Sequence, residues 1–162
     1  MNAPDVLRYG HLTLLGTLDP VPDELIDRPG ACGVWSIREI VAHLASYELV
    51  LVDVLASASE AGTATPMLDR FVEQGGAFND AEVEARATVS LPDLLGEIDA
   101  AHATTLELVA ALDPARLREA GSIPWYGEEY ALDDLIVYQY YGHKREHSAQ
   151  IEAFRDAATR QS

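Results

Sequence analysis

The sequence predicts an all-α protein with four main helices. Apolar residues recur at the three- and four-residue spacing of a helix in four segments, and no long segment shows the two-residue alternation of an exposed β-strand. The chain has 162 residues, of which 48% are hydrophobic, and this is enough to form one continuous core. We therefore expect a single helical domain over residues 1–162.

The first helix is expected from about Pro4 to Leu18. Proline is tolerated in the first turn of a helix, and Pro20 and Pro22 end the segment. The predicted inward face carries Leu7, His11, Leu14 and Leu18. This helix therefore presents one histidine among core leucines.

The second helix has the clearest start signal. Ser36 and Glu39 have the spacing of a capping box, while Trp35 and Ile40 are placed to form a hydrophobic staple around it. The helix should continue to about Ser57. The residues of its inward stripe are Ile40, His43, Leu44, Tyr47, Leu51 and Leu55. A second histidine is thereby directed toward the core.

Residues 60–89 are predicted to form an irregular crossover within the domain. This stretch contains AGTATP and QGGAFND, which are rich in turn-forming residues, with a short helix expected around Met67–Glu73. A connection of this length often shapes a pocket.

The third helix begins after the cap Ser90, with Pro92 and Asp93 in its first turn, and should run to about Leu112. Its inward residues are Leu94, Leu95, Ile98, Thr105 and Leu108. Asp113-Pro114 then starts a short turn.

The fourth helix follows the loop GSIPWYGEEY and is expected from near Leu132–Asp134 to about Ala157. The residues of its inward face are Ile136, Gln139, Tyr140, His143, His147, Gln150, Ile151 and Phe154. A polar strip therefore interrupts a core-facing stripe.

Three histidines form a candidate metal site. His143 and His147 are four residues apart, so on a helix their rings lie one turn apart on the same side, a spacing that one divalent ion can bridge. His43 supplies a third ligand if the second and fourth helices face each other. Three neutral imidazoles leave a coordination position open, as in catalytic zinc sites. The alternative is that these are core histidines that hydrogen-bond to Tyr, Gln and backbone groups.

The other polar residues have packing interpretations. His11 and His102 have no helical partner at the same spacing, so packing or pocket-lining roles are favoured. Glu146 is either a solvated neighbour or a partner for a metal-bound imidazole. Cys32 is the single cysteine, which excludes an internal disulfide and argues against a thiolate zinc site.

Aromatic residues cluster before the histidines of the fourth helix. They either wall a pocket above the metal or anchor the core and the loop, and the second role is favoured for any one of them. The residues concerned are Trp125, Tyr126, Tyr130, Tyr138, Tyr140 and Tyr141.

Charge and hydropathy exclude several classes of partner. The formal net charge is -16, from 11 basic and 27 acidic residues, and such a chain repels nucleic-acid phosphates. The N-terminus lacks the basic and apolar regions of a signal peptide, and the apolar stretch from Leu49 to Ala56 is interrupted by Asp53. We expect a cytoplasmic protein that binds neither nucleic acid nor membrane.

Two segments resemble the DinB/YfiT-like superfamily. These are WSIREIVAHLASYE at the second helix and GHKREHSAQI in the fourth, with FNDAEVEARATVSLPDLLGEI between them. The resemblance implies a four-helix bundle with a long crossover between helices 2 and 3, and a homodimer. It also implies a Zn or Ni ion held by one histidine of the second helix and two of the fourth, here His43, His143 and His147. Gln150 matches a family glutamine that either orients a ligand or packs in the helix.

The resemblance also suggests an activity. Some members of the superfamily use low-molecular-weight thiols as transferases or isomerases, so a thiol cofactor is one expectation. This chain departs from the commonest late-helix pattern at Glu146 and at Ser148-Ala149. We predict a metal-dependent enzyme, either thiol-dependent or hydrolytic, acting on a small molecule. The alternative is a non-catalytic dimeric bundle that binds a metal or a small molecule.

Overall fold

A computed structural model describes residues 2–160 and confirms the all-α prediction, with 73% helix and no β-strand in the described part of the chain. The six longer helices are α1 (Ala3–Leu18), α2 (Ile37–Ser59), α3 (Pro66–Gln74), α4 (Phe78–Ala85), α5 (Leu91–Ala111) and α6 (His143–Thr159). Single α-helical turns lie at Asp23–Ile26, Pro114–Leu117 and Leu132–Leu135, a 3₁₀ turn at Gly75–Ala77, and a π-helical segment at Ile136–Gly142.

The long helices form a four-helix bundle. Helix α2 packs along α5, and α1 packs along both α6 and the π-helical segment. Contacts of α1 with α5 and of α2 with α6 close the arrangement, while α3 and α4 of the crossover pack against α2. The bundle thus brings the second and fourth predicted helices together, as the candidate metal site requires.

The predicted helix starts are confirmed by their caps. At α2, Ser36 Oγ accepts from the Glu39 backbone N–H at 3.3 Å, and Glu39 Oε2 accepts from the Ser36 backbone N–H at 2.7 Å. Ser90 Oγ accepts from the backbone N–H of Asp93 at the start of α5. Each cap satisfies backbone donors that a helix leaves unpaired at its first turn.

The prediction of an irregular crossover was wrong for most of its length. Gly75 does end α3, with a φ of +53°, but the chain then continues through a 3₁₀ turn into α4. Phe78, Glu82 and Val83 are buried there. Their spacing is that of one helix face, but the polar residues around them hide this pattern in the sequence. The crossover is therefore a pair of short helices rather than a loop.

Charged side chains hold the crossover in place. Asp53 Oδ2 accepts from the backbone N–H groups of Met67 at 2.7 Å and Leu68 at 3.1 Å, so α2 caps the first turn of α3. Glu82 on α4 is 1% exposed and is paired with Arg70 of α3 and Arg86. A buried carboxylate needs such partners because isolated burial of its charge is costly.

The fourth predicted helix is not α-helical throughout. It starts with one α-helical turn at Leu132–Leu135, passes through the π-helical segment Ile136–Gly142, and becomes α6 at His143. The sequence did not predict this change of hydrogen-bond register. Single π-helical stretches within helices are frequently found at functional sites.

Two apolar clusters fill the core, and α2 contributes to both. Its residues up to Ala45 belong to one cluster and those from Val50 onward to the other. Helix α2 is long and apolar enough to span a membrane by composition, but 67% of its most apolar window is buried inside the fold. Its place at the centre of the bundle accounts for its apolarity.

Candidate metal centre

The bundle brings His43, His143 and His147 together. His43 projects from α2, His143 is the first residue of α6, and His147 follows one helical turn later. Nε2 of His143 lies 2.9 Å from Nε2 of His43 and 3.0 Å from Nε2 of His147. The three ligand atoms lie within 4.8 Å of one another, so the cluster has the size of a site for one ion.

Burial keeps the three rings neutral. It lowers the pKa of His43 to about 3, and the neighbouring His143 and His147 lower that pKa further. Burial likewise lowers the pKa of His143 to about 3, and it lowers the pKa of His147. Since a histidine coordinates a metal through a neutral ring nitrogen, all three are in the form that a divalent ion requires.

Hydrogen bonds donated by the rings orient two of the three histidines, His143 and His147. Gln150 Oε1 accepts from Nδ1 of His147 at 2.8 Å, and the ring of His143 donates to the backbone of Gln139. Metal-binding histidines typically donate their second ring N–H to such an acceptor, which fixes the tautomer. Of the two roles weighed for Gln150, orienting a ligand is the one that this contact favours.

The donor set of the three histidines suits a cation. With the ring protons of His143 and His147 on the side of Gln139 and Gln150, both Nε2 atoms carry lone pairs. These lone pairs face each other across 3.0 Å, where they repel. A cation between the rings would convert this repulsion into coordination, and three neutral nitrogen donors suit zinc and nickel.

The π-helical segment sets the position of His143. A Cβ atom added to Gly142 would lie 3.2 Å from the Val137 carbonyl oxygen, so the tight backbone here favours glycine. After this segment His143 is half-buried beside the other two histidines, while Lys144 is directed into the core. The change of register therefore places two successive polar side chains on the inner side of the bundle.

An open cavity of about 380 Å³ lies beside the histidines. Tyr47 belongs to both: its ring centroid is 4.7 Å from those of His43 and His143, and it also lines the cavity. The remaining lining residues are Phe71, Val72, Gly75, Gly76, Asn79 and Trp125. The crossover thus does shape a pocket, as its length predicted, and that pocket adjoins the candidate site.

The aromatic residues singled out in the sequence divide between the two expected roles. Trp125 lines the cavity and stacks edge-on against Phe71, with ring centroids 5.6 Å apart. Tyr140 is buried in the core, whereas Tyr138 is 62% exposed. Only part of the cluster therefore walls a pocket, and Tyr47 and Phe71, which lie outside it in the sequence, contribute as much.

His11 and His102 are apart from the cluster and stack on each other. Their ring centroids are 4.1 Å apart at an interplanar angle of 9°, and His11 Nε2 lies 3.1 Å from Asp99 Oδ1. This agrees with a packing role. Glu146 is exposed, as a solvated neighbour would be, and Cys32 is a free thiol in the loop before α2.

A buried ion pair next to the histidines was not predicted from the sequence. Lys144 Nζ lies 2.7 Å from Glu48 Oε1, and the two side chains are only 2% and 1% exposed. In the sequence, the basic pair Lys144-Arg145 indicates no more than a small surface charge. The sole local sign was that Glu48 stands next to a run of apolar residues in the second predicted helix.

Comparisons with known proteins agree with the resemblance. The sequence profile of the DinB superfamily matches residues 10–151. The chain is 32% identical over 136 residues to a Bacillus licheniformis protein named "putative metal-dependent hydrolase", covering 82% of this chain and 72% of that protein. No solved structure gives a significant match. The length of the profile match and the identity to this relative show that the chain belongs to the DinB superfamily.

Proposed function

We propose that this protein is a divalent-metal-dependent hydrolase whose ion is held by His43, His143 and His147. One observation carries the proposal. Three neutral imidazoles from two helices direct their Nε2 atoms to a common point, where no other polar side chain of the described residues satisfies them. Three protein ligands leave a coordination position open, which distinguishes catalytic zinc sites from structural ones.

Each residue of the site has a role in this proposal. The three histidines bind the ion, which when bound would supply the Lewis acidity that polarises a carbonyl group and acidifies water. Gln150 and the backbone of Gln139 hold two of the rings by their Nδ1 side. Tyr47 packs against two of the ligands and also lines the adjoining cavity.

The name of the Bacillus licheniformis relative supports hydrolysis over the other chemistry that the resemblance allows. A low-molecular-weight thiol, which the family resemblance suggested, stays a prediction, and adding thiols to the activity assay tests it. Zinc or nickel as the native metal, the homodimer and the cytoplasmic location also stay predictions. Sedimentation velocity of the untagged protein tests the homodimer.

The experiment that tests the proposal combines metal content with turnover. We expect about one Zn or Ni per chain in untagged wild type and almost none in His143→Ala/His147→Ala. A panel of small esters and amides should be hydrolysed by wild type, and chelation should abolish the activity.

His102→Ala is the matched control because it removes a buried histidine outside the cluster. It should keep both the metal and the activity. Equal metal contents in wild type and in the double variant, after reconstitution, would reject the site. A metal that is bound without any detectable turnover would favour the non-catalytic alternative.

A further inference from the structure

The cavity beside the histidines differs in character from the rest of the molecular surface. The chain carries 38 charged residues, from 11 basic and 27 acidic, yet no charged side chain lines this cavity in the described part of the chain. Its walls are the rings of Tyr47, Phe71 and Trp125 together with Val72 and two glycines. An apolar lining with few polar groups is typical of pockets that bind uncharged small molecules.

The aromatic walls form one continuous surface that starts at the histidines. Tyr47 contacts Phe71 with a centroid distance of 5.6 Å, and Phe71 contacts Trp125 at the same distance. Phe78, which is fully buried, supports Phe71 from behind at 5.3 Å. A planar ring that enters the cavity would therefore meet the edges or faces of fixed aromatic side chains.

A hydrogen-bonded pair, Tyr47 and Asn79, places polar groups in one part of the cavity wall. Tyr47 Oη donates to Asn79 Oδ1 at 3.2 Å, so the oxygen of the Asn79 amide already has a partner. The Asn79 amide nitrogen makes no hydrogen bond within residues 2–160. Its two N–H groups are thus available to a ligand, and they suit a neutral acceptor such as a carbonyl oxygen.

We propose that this cavity binds uncharged small molecules that combine an aromatic or apolar ring with a hydrogen-bond acceptor, the acceptor meeting Asn79. This inference rests on the proposed function, and it makes neutral aryl amides or esters the substrate class of the adjoining metal site. Anionic ligands are disfavoured because the apolar walls would displace water from the negative charge of the ligand, and no cationic side chain of the described residues lines the cavity to replace that water.

The test uses benzamide and benzoate as probes, since they have nearly the same shape but differ in charge. The protein is the wild-type chain after chelation, so binding to an ion does not contribute. Its two tryptophans give separate indole N–H signals by NMR, and Trp125→Phe assigns them. Benzamide should shift the Trp125 signal saturably and leave Trp35 almost unchanged, and benzoate should bind at least about tenfold more weakly.

A matched pair of variants ties the shift to this cavity. Gly76 lines the cavity, and a Cβ atom there meets nothing within 4 Å, so Gly76→Leu should fold normally and fill the space. Gly96→Leu places the same side chain at an equally open position on α5, away from the cavity. Gly76→Leu should abolish the benzamide shift and Gly96→Leu should retain it.

Equal affinities for the two probes, a shift that survives Gly76→Leu, or no saturable shift would each overturn the inference. Because the chelated protein is used, these outcomes do not depend on whether the histidines hold an ion. A failure of the proposed function would instead appear as missing metal or missing turnover in the wild type, so the two failures are distinguishable.

Discussion

At the scale of single residues, the sequence predicted the metal-site candidates and Gln150 beside them, but not the buried ion pair next to them. His43, His143 and His147 could be found because helical spacing puts each one on an inward face. The buried pair of Lys144 and Glu48 could not, because the two residues are 96 positions apart, the difference between their numbers, and each alone resembles a surface charge. Long-range pairing of charges depends on how helices face each other, which periodicity alone does not give.

Gln150 is the residue whose substitution should affect the metal most selectively. Gln150→Leu removes the acceptor for Nδ1 of His147, so the ring loses its fixed tautomer and orientation. We expect metal affinity to fall by about 10- to 100-fold, as measured by competition with a chromophoric chelator. Gln150→Glu keeps an acceptor and should retain most of the affinity. An unchanged affinity in Gln150→Leu would show that the glutamine only packs.

The ion pair of Lys144 and Glu48 should contribute less to folding than the loss on removing only one of its partners would suggest. Lys144→Met leaves the buried Glu48 carboxylate without a partner, and we expect the free energy of unfolding to fall by about 3–5 kcal/mol in urea. The double variant Glu48→Leu/Lys144→Met removes both charges and should lose much less. Additive losses in the double variant would contradict this account, since they would mean that the two charges do not interact.

At the scale of elements, start signals predicted the long helices well, but backbone irregularities were not predictable. Capping residues such as Ser36 and Ser90 act locally, so the sequence shows them directly. The π-helical segment before His143 is one such irregularity. Gly142 was its only local sign, and a glycine within a helical pattern can equally indicate close packing of two backbones or a helix end.

The attachment of the crossover to α2 should depend on Asp53. Thr65, at the N-cap of α3, makes no side-chain capping bond, and the Asp53 carboxylate accepts from the first-turn N–H groups instead. Asp53→Ala should lower the free energy of unfolding by about 0.5–2 kcal/mol. Compared with wild type, the rate of amide hydrogen exchange should rise more in α3 than in α5.

Glu84→Ala is the control for this change because it removes an exposed carboxylate from α4 of the same crossover. It should leave both stability and exchange nearly unchanged. If Asp53→Ala destabilised the bundle without faster exchange in α3, Asp53 would act through α2 and not through the crossover. Since α3 carries Phe71 and Val72 of the cavity wall, the same variant should also weaken benzamide binding.

At the scale of the whole molecule, the proposed ion would join two helices that have few other links. Helices α2 and α6 contact each other over a short stretch, chiefly through His43 with His143 and Glu48 with Lys144. An ion that binds only the folded arrangement stabilises it by mass action. Metal binding and global stability should therefore change together.

Adding Zn²⁺ to the chelated protein should raise its Tm in calorimetry. At a free concentration 100 times the Kd the ion contributes about 2.7 kcal/mol, which for a domain of this size corresponds to roughly 5–10 °C. His143→Ala/His147→Ala should show no such shift, because it removes two of the three ligands. His102→Ala should show the full shift, because His102 lies outside the cluster. The same shift in the double variant would mean that Zn²⁺ stabilises the fold from a different site and does not join α2 to α6 through these histidines.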